Sequence, residues 1–205
     1  MPSTTRINYL KGLAICHGKS EVCIVKYIGT NLHLNVRQFS KNNGRNSIQI
    51  TSLMNVLNSY PFNSINSFAR EYEVEVSGRG AGKKINGFKL FIIMDTDDCT
   101  QIQKNDFISK RMFEEHWLYD YIVPIYNIPK LEIVLSECGI TTQKVKDSEK
   151  GTLYEKIFPI NNKPFSNDTL LEITTLKEKL IKSHNTNMVS FIDYCLSLLE
   201  QKTIV

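Results

Sequence analysis

The sequence predicts an α/β protein: a central, mainly parallel four-stranded sheet flanked by helices, with a C-terminal helical extension. Three observations carry this. Short apolar runs alternate with segments whose apolar residues recur at helical spacing, which is the rhythm of βα units. One run, Leu90 to Met94, is too short for a buried helix and runs straight into Asp95, Asp97 and Asp98. That is the profile of a central strand covered on both faces, whose carboxyl end opens into a loop. Finally, the charged, apolar-poor stretch 141–151 is followed only by helical patterns. The expected division is an α/β domain over 1–140, a linker over 141–151, and a helical segment over 152–205 packed on the sheet domain.

Taken in order, Lys11 to Cys16 is a short apolar run and reads as the first strand. His17-Gly18-Lys19 turns the chain, and Val22, Val25, Ile28 and Leu32 then share one helical face, with Ser20 as the expected N-cap. Leu32 to Phe39 alternates apolar and polar residues and predicts a second strand. Lys41 to Asn46 is a polar loop around Gly44, and Ser47 opens a helix through Leu57 that ends before Pro61. Ser64 to Tyr72 adds another turn or two of helix.

Glu71 to Gly87 breaks the rhythm. Val74 and Val76 alternate with Glu73 and Glu75, and Ser77 to Lys84 is glycine-rich and basic, which predicts an edge strand or hairpin arm with a basic loop. The loop is not a phosphate-binding P-loop, because Ser77 stands at the first required glycine and Lys84 at the position of the magnesium-binding Ser or Thr. After the third strand, Leu90 to Met94, a helix is expected over Asn105 to His116. A fourth strand follows over Trp117 to Tyr126, placed at an edge by Pro124. Leu131 to Cys138 is a short helix stopped by Gly139. Three more helices are expected over Thr152 to Phe158, Thr169 to Ser183 and Met188 to Gln201.

The bulk properties narrow the function classes. The 205 residues are 41% apolar, enough for a real core, and the net charge of +4 permits a polyanionic partner without demanding one. No run of about 18 apolar residues exists, so no membrane partner is expected. The N-terminus lacks the apolar core of a secretion signal. Five cysteines without a Cys-x-x-Cys pair predict neither a disulfide framework nor a zinc site, and fit a reducing cytoplasm. The apolar C-terminal helices leave a homodimer open.

The chemistry gathers at strand ends, where open α/β sheets bind their ligands. Asp95 and Asp97 are two apart, so in extended geometry they project to the same face. Two carboxylates on one face call for a cation with a preference for oxygen ligands, Mg²⁺ or Mn²⁺. The plainer alternative is a solvated acidic turn in which Asp97 or Asp98 caps the next helix. If the first and third strands are neighbours, Glu21 joins the pair in one crevice.

The segment Cys16-His17-Gly18-Lys19-Ser20-Glu21, followed by Phe91-Ile92-Ile93-Met94-Asp95-Thr96-Asp97, resembles the TOPRIM pattern, a Rossmann-like arrangement. In it a strand ends in a glycine-bearing turn with a glutamate, and a later strand ends in Asp-x-Asp. Asn127-Ile128-Pro129-Lys130-Leu131-Glu132 further resembles a segment of the RloB-like proteins, which belong with the OLD-type nucleases and with bacterial phage defence. His17 stands where the family usually has an acid, and Ile128 shifts the Asn-Pro spacing. The resemblance implies a nuclease that cleaves phosphodiesters of DNA or RNA with Mg²⁺ or Mn²⁺. Glu21 would be metal ligand or general base, Asp95 and Asp97 metal ligands, and Glu132 a carboxylate behind the ligands or on a second metal, or else simply an acid favoured at a helix N-terminus. His17 would shuttle protons, while Lys19, Lys83, Lys84 and Lys130 would contact phosphates of the nucleic acid. A partner protein of a defence system is also implied.

Two other readings stand beside it. The lost acid at His17 and the modest net charge fit a TOPRIM-like module that binds nucleic acid or a partner with weak hydrolysis or none. The apolar strand running into Asp-Thr-Asp-Asp also resembles the nucleophile loop of haloacid-dehalogenase phosphatases, in which the first Asp attacks phosphorus. That family carries this loop on its first strand, and Glu21 would have no role in it.

Overall fold

In a computed structural model of the chain, residues 8–141, 150–160 and 165–203 are described. β1 (Gly12–Cys16) is buried along its whole length and leads into α1 (Lys19–Asn31), and β2 (Val36–Phe39) follows. The chain then builds α2 (Leu53–Leu57), α3 (Ile65–Glu71) and an antiparallel hairpin of β3 (Val76–Ser77) and β4 (Lys84–Ile85). β5 (Lys89–Asp95), α4 (Gln101–Ile108) and β6 (Ile122–Asn127) complete the sheet. After it come α5 (Leu131–Glu137), α6 (Lys150–Ile157), α7 (Asn167–Leu180) and α8 (Val189–Thr203). The four long strands are all parallel, in the order β2-β1-β5-β6, so this is an α/β protein with helices flanking a parallel sheet.

Alternation along the strands divides the core into two layers. Leu13, Ile15, Leu90, Ile92 and Met94 face one side, where Leu53, Phe62, Phe68 and Phe107 cover them. Ala14, Cys16, Phe91, Ile93 and Ile125 face the other, beneath α1, α5 and the three C-terminal helices. Phe91 meets the Phe191 ring edge-on at 5.0 Å and lies 5.2 Å from Tyr194, and the Tyr194 hydroxyl donates to the Lys11 carbonyl at 2.6 Å. The residues after β6 thus share one continuous core with the sheet.

Several expected boundaries shift. The second strand starts at Val36, not Leu32, because His33 adopts a left-handed φ of 52° and Leu34 bonds back to Gly29. The helix expected from Ser47 is a 3-10 turn over Ile50–Ser52 followed by the short α2. The helix expected over Asn105 to His116 starts earlier, at Gln101, because Thr100 is its N-cap and Gln103 returns a bond to the Thr100 N–H. Neither Asp97 nor Asp98 caps it. It ends at Ile108, where left-handed Lys110 (φ 67°) turns the chain into a 3-10 turn. The fourth strand is confined to Ile122–Asn127, after a 3-10 turn over Tyr119–Tyr121, and it does lie at a sheet edge. Of the expected linker, residues 142–149 lie outside the described residues. Among the described residues no helix is long and apolar enough to cross a membrane.

Candidate functional site: an acidic cleft at the strand ends

The chain leaves β1 for β2 at one edge, then returns past β1 to β5 and β6 on the other side. β1 and β5 are therefore the topological switch point, and a crevice opens beyond their carboxyl ends. Cys16 and Ile93 pair across this junction, so the turn after Cys16 and the acids after Met94 emerge side by side. The cleft there measures about 580 Å³ and contains His17, Glu21, Asp95, Asp97 and Glu132 on its wall.

Asp95 is the last residue of β5 and is buried. Its Oδ1 accepts from the Asn127 amide at 3.2 Å and from the Leu131 N–H at 3.0 Å, which ties the end of β6 and the start of α5 to the site. His17 Nε2 stands 3.9 Å from its Oδ2. Burial, followed by the charge of Glu21, pushes the Asp95 carboxyl up to about 8, with Glu132 adding to the rise.

Glu21 is also buried, on the first turn of α1. Gly18, not the expected Ser20, is the N-cap, and Glu21 Oε2 accepts the Gly18 N–H at 2.8 Å. Ser20 is thereby left to donate its hydroxyl to Glu132 Oε1 at 2.9 Å, tying α1 to α5. Asp97 follows the end of β5 and is exposed on the turn, so the extended geometry expected to align it with Asp95 does not hold. Asp97 does line the same cleft. Asp98 turns inward, and burial raises its carboxyl.

The basic residues divide. Lys19 and Lys130 line the cleft, and the Lys19 ammonium is held at 2.9 Å by Glu155 of α6. Lys83 and Lys84 are not there. The hairpin that carries them precedes the amino end of β5, so the length of the strand, about 20 Å, separates them from the carboxylates. Lys83 instead bonds to Asn66 at 2.8 Å.

Sequence reasoning missed what the loop after β2, the end of β6 and α6 bring to the site. Arg45 and Ser47 reach the cleft from the loop after β2, held there because Ile48 donates its N–H to the His17 carbonyl at 2.9 Å. A Cβ at Gly44 (φ +80°) would come within 2.8 Å of Lys19 Cα, so glycine is what lets the loop lie against the start of α1. Asn127, fully buried, joins Asp95 to Thr186, which donates its hydroxyl to the Asn127 side-chain oxygen at 2.9 Å. Tyr154 of α6 is buried within the field of Glu132, Glu21 and Asp95. The glycine at 44 was visible in the sequence; the other contacts depend on tertiary folding.

The carboxylates of the cleft suit a cation with a preference for oxygen, because burial first and then the charge of Glu21 oppose the ionised form of Asp95. Glu21, Asp95 and Glu132 are the residues that would hold it, with Asp97 at the rim. Among the described residues, no three His, Cys, Asp or Glu side chains stand together as a ready-made cation cage. No protein-family model, curated protein or solved structure matches this chain.

Proposed function

We propose that this chain is a TOPRIM-type, metal-dependent phosphodiesterase that acts on nucleic acid. The observation that carries the reading is the convergence of Glu21 and Asp95, with Glu132 beside them, at the switch point of a parallel sheet. A Mg²⁺ or Mn²⁺ bound there would polarise a phosphoryl oxygen and reverse the negative field that otherwise repels a phosphodiester.

The chain's own residues supply the rest. Lys130, Arg45 and Lys19 line the cleft that holds the carboxylates, where cations attract the phosphate backbone without reading its sequence. His17 would exchange a proton at its Nε2, which lies 3.9 Å from Asp95 Oδ2, while its Nδ1 is buried without a hydrogen-bond partner. The two bonds to Asp95 Oδ1 fix that carboxyl against rotation.

A second reading has its own support. Asp95 anchors the start of α5 and Glu21 caps α1, so both acids have structural work that needs no cation. On that reading the cleft binds nucleic acid and hydrolyses it weakly or not at all. One experiment separates the two. The protein is incubated with plasmid, single-stranded DNA and tRNA in Mg²⁺, Mn²⁺ or EDTA, beside Asp95→Asn and Glu21→Gln. Cutting that needs the metal and disappears in both variants supports the enzyme. Binding without cutting supports the module, and neither binding nor cutting refutes both.

A further inference from the structure

Tyr154 lies on α6, in the C-terminal segment, yet its hydroxyl comes near Ser20 at the start of α1. The residue is fully buried, and its ring stacks on Phe158 with an interplanar angle of 9°. A phenylalanine would make that stack equally well. The hydroxyl oxygen is buried and has no hydrogen-bond partner, a costly arrangement for a polar atom. What surrounds it is specific: the Ser20 hydroxyl lies beside it, and the carboxyls of Glu132, Glu21 and Asp95 are its acidic neighbours. Ser20 in turn gives its own proton to Glu132 Oε1 at 2.9 Å.

The directions of donation follow from the groups involved. An ionised carboxylate only accepts, so Ser20 must be the donor to Glu132. With its proton spent there, the Ser20 oxygen can only accept from Tyr154. We propose that Tyr154 is a positioning residue for the cation site: when a divalent cation is bound in the cleft, the Tyr154 O–H closes onto Ser20 Oγ, and Ser20 orients Glu132 toward the ion. A donor chain of this kind polarises along its length and strengthens its final bond. Outer partners that orient metal-ligating carboxylates carry about 10–100-fold in metal affinity. The inference rests on the metal-dependent reading above and deepens it, because it makes α6 part of the site.

The test is calorimetric titration of Mn²⁺ into the full-length protein, Tyr154→Phe, Ser20→Ala and the double variant, with cation-free melting temperatures measured in parallel. The expected result is affinity lowered about tenfold in each single variant and no further in the double, since both break the same chain. The cation-free melting temperature of Tyr154→Phe should equal or exceed that of the unmodified protein, because an unpartnered buried hydroxyl has been removed. Weaker Mn²⁺ binding accompanied by a lower melting temperature assigns the residue to folding and overturns the inference. Undiminished binding in Tyr154→Phe overturns it while leaving the metal site standing. An unmodified chain that binds no Mn²⁺ overturns the site and the inference together.

Discussion

Asp95 concentrates the physical tension of the molecule in one side chain. Its folded carboxyl titrates at about 8, against an ordinary value of 3.8, because burial and Glu21 oppose its charge. A carboxyl raised by folding stabilises the chain when protonated, and that contribution falls away as pH rises through the folded value. Cation-free protein should therefore lose stability steadily between about pH 4 and pH 8 through this group. Asp95→Asn keeps the shape and an acceptor oxygen for the Leu131 N–H but cannot ionise. Its melting temperature should gain on the unmodified protein as pH increases from 5 to 9; an unchanging gap would place the tension elsewhere. The same argument sets a second expectation at this residue. Binding a divalent cation at pH 7 should release about one proton, read as a dependence of the calorimetric enthalpy on buffer ionisation heat.

At the scale of elements, the parts legible in the sequence were those whose pattern is local. Leu90 to Met94 is apolar on both faces and is the central β5. Pro124 sits on an edge strand as its missing N–H requires. Glu21 and Asp95 emerge side by side because β1 and β5 pair directly. What the pattern concealed were the boundaries set by single backbone conformations and competing caps. His33 and Lys110, both left-handed, end elements that their apolar periodicity would continue, and Thr100 outcompetes Asp98 as a cap because Gln103 completes the reciprocal bond. The basic hairpin was legible as a hairpin, yet its distance from the acids depends on which end of β5 it precedes. The loop after β2 was legible only as polar. Its placement over α1 rests on Gly44, so Gly44→Ala tests that element. The left-handed φ and the 2.8 Å approach to Lys19 Cα should together cost about 1–3 kcal/mol. Denaturant titration measures the loss, and a change within error would show that the loop re-seats freely.

At the scale of the whole molecule, the question is whether the C-terminal helices are a separate body or half of the core. One face of the sheet presents Ala14, Phe91, Ile93 and Ile125, and the side chains that keep water from them include Met188, Phe191, Ile192 and Cys195. Without those residues a contiguous apolar face on the order of several hundred Å² would be exposed, larger than single-domain proteins ordinarily leave open. The polar links run the same way. Asn187 accepts the Tyr126 N–H at 2.8 Å and donates to the Pro124 carbonyl at 2.9 Å, while Thr186 closes the bond to Asn127 behind Asp95. A segment held by the main chain of β6 and by the second layer of the core unfolds with the sheet. Equilibrium denaturation should accordingly show one transition with coincident fluorescence and circular dichroism. Phe191→Ala should lower its free energy by about 3–5 kcal/mol, because a fully buried aromatic is removed from contact with Phe91. Two separate transitions, or a Phe191→Ala loss confined to the first of them, would mean that the sheet stands without its C-terminal cover. Tyr154 would then reach the acidic cleft from an independently folding appendage.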